Sequence, residues 1–143
     1  MRQRRIALVM AVALVAALQA AVRAEGPSIR DGKVAFPEAY REWVFVSAGL
    51  GMAYGPNAPS PGAPQSFTNV YVNPASYRAF LSSGKWPDRT MFVLEIRNSA
   101  TQGSINRSGS YQTDLVAIEA NVKDARLSGG WGFFDFEIGR AHV

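Results

Sequence analysis

The 143-residue sequence contains no cysteine and a single histidine. The lack of cysteine excludes a disulfide framework and any metal site built from thiolates. The histidine, His142, lies in the last seven residues, EIGRAHV, which show no hydrophobic periodicity. Catalysis by a serine–histidine–aspartate triad needs an imidazole held inside the fold. We therefore expect neither a catalytic triad nor a metal site formed by these residues.

The chain also lacks a surplus of positive charge once its N-terminus is set aside. The whole sequence has a net charge of +4, from 15 basic and 11 acidic residues. Arg2, Arg4, Arg5 and Arg23 are four of the basic residues, and the first 24 residues contain no acid. The rest of the chain is therefore neutral, which argues against nucleic acid as a partner.

Residues 1–24 have the three parts of a secretory signal peptide. A positive start is followed by an uncharged apolar run, Ile6 to Leu18, and by small residues at Val22 and Ala24 that suit cleavage. The run is shorter than the ~20 apolar residues that a membrane-spanning helix needs. We expect export to the periplasm and no membrane association after cleavage; the alternative is an uncleaved anchor.

The rest of the sequence alternates apolar and polar residues, which is the pattern of strands in a half-buried sheet. Five strands are predicted, at 43–47, 67–73, 90–97, 113–124 and 131–136. Asn73 and Pro74 are typical of a helix start, with the Asn73 side chain accepting from an exposed N–H group, and Gly84 is typical of its end. A helical turn is predicted near Pro37. The predicted fold is mainly β (α+β), an antiparallel sheet with one or two short helices.

The strand predicted at 90–97 has the strongest alternation. Phe92, Leu94 and Ile96 point to one side. Glu95 points to the other side, where we expect it to face solvent or to pair with the neighbours of Arg97. In the strand at 113–124, the apolar face is formed by Val116, Ile118, Ala120 and Val122. The aromatic residues of the strands either pack in the core or form the wall of an apolar pocket for a flat ligand.

Several segments occur in the order and spacing of a known family. They are YREW, VYVNP-x-x-Y, the turn GKWPD and the final GGW-x-FFDF. Together they span residues 36–136 and resemble the cytochrome P-460 family of exported c-type cytochromes. The resemblance implies a mainly β domain, often a homodimer, that holds haem c against its sheet. It also implies a small gaseous or nitrogen-oxide ligand and a redox partner protein.

The resemblance ends at Glu137, just before the family's haem-attachment motif C-x-x-C-H is due. The cysteines of that motif bind the haem and its histidine ligates the iron; the motif is absent here. The tail EIGRAHV can be encoded by GAGATCGGAAGAGCACACGTC, which resembles a widely used sequencing adapter. We therefore expect residues 25–136 to be a truncated P-460-like domain and residues 137–143 to be an assembly artefact. A natural divergent terminus is the alternative.

Hydroxylamine-oxidising members of the family carry a lysine that cross-links to the haem, and its counterpart here is Leu94. Leucine has no nucleophilic nitrogen, and Lys85 and Lys123 lie in turn-like stretches that make them poor substitutes. The chain is therefore closer to the related cytochromes c′-beta, which bind small gases such as nitric oxide in an apolar distal pocket. Phe92, Leu94 and Ile96 are the candidate wall of that pocket.

The sequence thus predicts an exported haem-binding cytochrome that binds nitric oxide or a similar gas, or that transfers electrons. One alternative is an oxidoreductase that acts on hydroxylamine or nitric oxide. A second is a haem-free β-domain that binds another apolar ligand, if the tail is natural. No catalytic residue is assigned.

Overall fold

The computed structural model describes residues 26–27, 29–53 and 64–136. In these ranges the chain forms seven strands, one α-helix, α1 (Pro74–Ser83), and two short 3-10 turns, Tyr40–Glu42 and Ser128–Gly130. The strands are β1 (Ile29–Arg30), β2 (Lys33–Val34), β3 (Val44–Leu50), β4 (Ser66–Val72), β5 (Met91–Ala100), β6 (Tyr111–Lys123) and β7 (Trp131–Phe136). The predicted signal, residues 1–24, and the predicted artefact, residues 137–143, lie outside the described residues.

Strands β3 to β7 form one antiparallel sheet in which spatial order follows chain order. Strands β1 and β2 form a separate two-residue ladder. The prediction of a mainly β fold with an antiparallel sheet and short helical elements is confirmed. Within the described ranges, no helix is long and apolar enough to cross a membrane.

Helix α1 connects β4 to β5 and has the predicted limits. It begins at Pro74, and it ends where Gly84 takes the left-handed conformation, with φ of 68°, which glycine adopts without strain. The predicted cap is wrong, because the Asn73 side chain makes no capping bond. Its Oδ1 instead accepts from the Met91 N–H at 2.8 Å, and its Nδ2 donates to Ser76 Oγ at 2.9 Å. Asn73 therefore ties the start of the helix to the central strand.

The sheet has two unlike faces, because successive residues of a strand point to opposite sides. We call one the covered face; on β5 it consists of Met91, Val93 and Glu95. The N-terminal segment, residues 29–43, packs on this face and contributes the buried ring of Tyr40. Met91 and Val93 are at most 1% exposed, and each such burial contributes about 1.5–3 kcal/mol to stability.

We call the other side the pocket face; on β5 it consists of Phe92, Leu94 and Ile96. Their cross-strand neighbours include Val70 on β4 and Ala117 on β6. Helix α1 reaches this face where Phe80 stacks on Trp86 and Trp86 contacts Phe92. Phe92 and Ile96 are only half-buried, whereas Met91 and Val93 on the covered face are buried.

Several details of the strands differ from the predictions; β6, for example, begins at Tyr111, two residues before its predicted start. Strand β3 continues through Gly49 to Leu50, and β5 continues to Ala100, three residues into the predicted link. The pairing of β5 with β6 shifts register between Ile96 and Arg97, which is the behaviour of a β-bulge. Val116 lies at this irregularity and is 48% exposed, so its predicted place on the apolar face with Ile118 is wrong.

Candidate functional site

Leu94 lies at the centre of the pocket face. It is in the middle strand of the sheet, opposite Val70 on β4 and Glu119 on β6. Its side chain is 7% exposed, whereas Phe92 and Ile96 are half-buried. The alternation of β5 brings the three predicted wall residues to one face, and their surroundings there differ.

A cavity of about 130 Å³ opens beside Leu94. It is lined by Ser47, Ala48, Gly49, Met52, Ala53, Thr68, Val70 and Leu94. Among these described residues none is charged, and the polar side-chain groups they bring to the cavity are the hydroxyl groups of Ser47 and Thr68. An apolar protein cavity of about 150 Å³ stays dry and binds benzene or xenon. The cavity beside Leu94 therefore has the size and chemistry for a small neutral molecule.

Met52 covers one side of the cavity. A methyl group added at Gly49 would lie 2.5 Å from Met52 Cγ and 2.8 Å from its Sδ, closer than van der Waals contact allows. Gly49 is thus the residue that lets the thioether lie against the strand. Met52 itself is 74% exposed, so a flexible and polarizable side chain separates this cavity from solvent.

Phe92 lies in an aromatic cluster next to the cavity and does not line it. Its ring is 4.8 Å from that of Trp86 and 6.0 Å from that of Trp131, measured between centroids. Lys123 is the last residue of β6, not part of a turn, and its Nζ donates to the Trp86 carbonyl oxygen at 2.6 Å. The same amine lies 5.9 Å from the Trp131 ring. Of the three candidates, only Leu94 is a cavity wall; Ile96 extends the same face.

The covered face holds a polar cluster around Glu95 that the sequence analysis missed. Glu95 is only 4% exposed, so the expectation that it faces solvent is wrong. Tyr40 donates to its Oε2 at 2.5 Å, Arg41 Nε donates to the same oxygen at 2.9 Å, and Arg97 Nη1 donates to Oε1 at 3.2 Å. Glu95 pairs with Arg97 itself and with Arg41, and not with the neighbours of Arg97 that the sequence suggested. The strand alternation could have shown that Glu95 is on the covered face, because Met91, Val93 and Glu95 are two residues apart and therefore lie on the same face.

These contacts keep Glu95 ionised. Burial opposes the charge, but the hydrogen bonds from Tyr40 and Arg41 outweigh it and hold the pKa of Glu95 below its usual value. Burial and the neighbouring Glu95 carboxylate together raise the pKa of Tyr40 far above its usual value. The tyrosine therefore stays a neutral donor and the glutamate a charged acceptor.

The pocket face fits the apolar contact surface that haem needs. Beside Leu94 and the Phe92 cluster, it presents Phe133 of β7, which is 77% exposed. The described residues include no histidine and no cysteine, and no group of three or more histidine, cysteine, aspartate or glutamate side chains among them could hold a metal ion. These residues thus offer a surface for the macrocycle but neither its covalent attachment nor an imidazole ligand.

Two comparisons with known proteins bear on this site. No curated protein sequence matches the chain. The sequence model of the cytochrome P460 family matches residues 37–142. The matched range contains Leu94, Glu95 and every strand of the five-stranded sheet. It also extends past Phe136 into the tail, and the assignment of that tail to a sequencing adapter stays a prediction. Because the match covers well over half of the chain, this protein belongs to the cytochrome P460 family, a family of haem-binding cytochromes.

Proposed function

We propose that this chain is an exported, periplasmic haem-binding cytochrome that binds a small neutral gas such as nitric oxide beside Leu94. The observation that supports the proposal is the cavity of about 130 Å³ on the pocket face. Sites for drug-sized organic ligands have volumes of about 300–1,000 Å³. A cavity less than half that size favours a diatomic or another very small neutral molecule over a drug-sized organic ligand.

The cavity also selects by charge. Moving an ion or a strongly hydrated molecule into an apolar site costs free energy unless polar partners replace its water. Leu94 and Val70 supply no such partner, and the hydroxyl groups of Ser47 and Thr68 carry no charge to compensate an ion. A neutral diatomic gives up little hydration on entering, so this lining favours a gas over an ion. When bound, haem supplies an iron centre that can coordinate such a gas.

The enzymatic alternative, oxidation of hydroxylamine or nitric oxide, has less support in this chain. The resemblance places the cross-linking lysine of such enzymes at the position of Leu94, which carries no amine. Lys123 approaches the same face, but its amine is bonded to the Trp86 carbonyl. Gas binding, or electron transfer to a redox partner, needs no cross-link and is favoured for that reason.

The test is to titrate the full chain with haemin, reduce it without oxygen and add nitric oxide while recording the Soret band. We expect a Soret shift on haemin binding and a second shift with nitric oxide. Leu94→Glu places a carboxylate in the cavity wall and Val70→Phe fills the cavity, so both should weaken the nitric oxide response. Leu81→Glu is the matched control, because Leu81 is 67% exposed on α1.

Each outcome separates one function from the others. Equal nitric oxide responses in Leu94→Glu, Val70→Phe and the control would contradict the cavity as the gas site. Hydroxylamine consumption coupled to an electron acceptor would support the enzymatic alternative instead. No Soret change with haemin would favour the haem-free β-domain that binds another apolar ligand.

Covalent attachment of haem c needs two cysteines, and this sequence has none. Sequencing the DNA of the source locus tests whether the natural protein encodes them. The source locus is re-amplified and read through the codon for Phe136. A frame that continues into C-x-x-C-H would assign haem c to the natural protein and the tail to the adapter. A locus that encodes EIGRAHV would support the haem-free alternative.

A further inference from the structure

We propose that the protein has a second binding site, on the covered face, for a small organic carboxylate with an apolar tail. The site is the cleft around Glu95, which we call the arginine cleft. It is lined by Arg41, Phe45, Ala48, Asn69, Tyr71, Glu95, Arg97 and Gln112. The cleft lies on the opposite side of the sheet from Leu94, so the proposal does not depend on haem or gas binding.

The charges in the cleft favour a monoanion. Arg41 and Arg97 each carry one positive charge, and among the described residues of the lining Glu95 is the one acidic side chain. Glu95 is ionised at neutral pH, because its pKa lies below its usual value. Two guanidinium groups against one carboxylate leave one unit of positive charge. A second carboxylate, supplied by a ligand, would balance it.

Both arginines keep a donor group for that ligand. Arg41 directs Nε and Nη2 at Glu95. Arg97 directs Nη1 at Glu95 and Nε at the Thr113 carbonyl oxygen. Among the contacts of the described residues, Arg41 Nη1 and Arg97 Nη2 make no hydrogen bond. Guanidinium groups hold planar carboxylates well, because their N–H groups match the spacing of the two carboxylate oxygens.

Asn69 and Gln112 define the polar floor without competing for the ligand. Asn69 Nδ2 donates to Gln112 Oε1 at 2.8 Å, and Gln112 Nε2 donates back to Asn69 Oδ1 at 2.9 Å. Asn69 Nδ2 also donates to Glu95 Oε1 at 3.4 Å, so its amide is committed to Gln112 and Glu95. The charged arginine donors therefore dominate recognition of an anion.

An apolar wall stands beside the two arginines and distinguishes this cleft from a site for an inorganic ion. Phe45 is 54% exposed, and its ring packs edge-on against Tyr71 with centroids 5.7 Å apart. Ala48 extends the wall along β3. The cleft is wide open to solvent and offers about 660 Å³, so space does not limit the size of a small organic ligand that lies along it. A carboxylate head on the arginines would leave its tail against Phe45.

The probe is benzoate, titrated into the full chain and followed by NMR on the arginine Nε–H signals and the backbone amides of Ala48 and Asn69. Benzamide is the neutral analogue of the same shape. We expect saturable benzoate binding that is about tenfold tighter than benzamide binding and that weakens as salt is raised. Arg97→Gln should weaken benzoate binding about tenfold or more. Arg78→Gln, which changes an exposed arginine of α1, should leave it unchanged.

A second variant tests the wall independently of the charge. Phe45→Ala should weaken the binding of benzoate. It should not change the binding of acetate, which has no ring. Circular dichroism and melting curves verify that each variant is folded. Equal binding of benzoate and benzamide, or benzoate binding that Arg97→Gln does not change, would overturn the proposal. Acetate and benzoate binding alike in the unmodified chain would overturn the assignment of the apolar tail.

Discussion

Leu94 and Glu95 are neighbours in β5, yet they lie on opposite faces of the sheet and in opposite surroundings. Leu94 borders a small cavity on the pocket face, and the described residues that line this cavity supply two hydroxyl groups and no charge. Glu95 is equally buried but is surrounded by Tyr40, Arg41 and Arg97 on the covered face. Burial alone therefore does not define a site; the polar partners of the buried group do.

The difference follows from what packs on each face. The N-terminal segment brings Tyr40 and Arg41 to the covered face, so Glu95 gains partners 54 and 55 residues away in the chain. On the pocket face, Met52 and Ala53, which follow β3, border the cavity beside Leu94, and neither supplies a charged partner. We infer that the contacts of Glu95 with the N-terminal segment mainly stabilise the fold, whereas the cavity on the pocket face and the arginine cleft keep space for ligands.

The largest expected effect is that of Glu95→Ala. Removing one partner of a buried ion pair typically costs about 3–5 kcal/mol, because the remaining charges lose their compensation. Since the Arg41 side chain is 57% exposed and partly screened by water, we expect a value near the lower end. Urea denaturation measures the change. Glu119→Ala is the control on the pocket face and should change stability by about 0.5 kcal/mol or less; equal losses would contradict the difference between the faces.

A pair of methionines tests the same difference without charge. Met91 is 1% exposed on the covered face, and Met52 is 74% exposed at the cavity. Met91→Ala should cost about 2–5 kcal/mol through lost burial and the cavity it leaves. Met52→Ala should cost about 0.5 kcal/mol or less, and it should open the pocket face to solvent. If the two variants lost similar stability in urea, Met52 would be a core residue and not a cover.

The acid stability of the protein should depend on Glu95. Its pKa in the folded protein is below the ordinary value of 4.5, so the unfolded chain binds the proton more readily. The stabilisation is therefore complete above about pH 4.5 and is lost as the pH falls from there through the folded pKa. Glu95→Gln cannot titrate, so its free energy of unfolding should fall less between pH 5 and 3 than that of the unmodified chain. Parallel pH profiles would show that Glu95 is not ionised in the fold.

Asp124 has to be separated from this effect. Its hydrogen bonds with Arg126 lower its pKa to about 2, so it also makes the unmodified protein less stable in acid. Because Asp124 is unchanged in Glu95→Gln, its contribution cancels when the two profiles are subtracted. The remaining pH dependence belongs to Glu95 and its partners.

The sequence was informative where the chemistry is local. The alternation of β5 placed Leu94 and Glu95 on opposite faces, and Gly84 set the end of α1, because strand period and left-handed glycine depend on neighbouring residues alone. It was less informative where distant segments meet. The role of Asn73 depends on Met91, the bulge at Val116 depends on pairing with β5, and the partners of Glu95 depend on how the N-terminal segment packs.

The smallest expected effect concerns Lys123, the charged residue that contacts the aromatic cluster of the pocket face. Lys123→Met removes the hydrogen bond to the Trp86 carbonyl and the contact with the Trp131 ring. A single hydrogen bond of this kind is worth about 0.5–1.5 kcal/mol, and a cation over an aromatic ring adds about 0.5–1 kcal/mol at an exposed site. Because the methionine still covers the ring, we expect a net loss of about 1 kcal/mol, measured by urea denaturation with tryptophan fluorescence. Lys85→Met, at an exposed position, is the control. A loss of stability as large as that of Glu95→Ala would mean that charged side chains stabilise both faces alike. The lack of polar partners would then not explain the cavity beside Leu94.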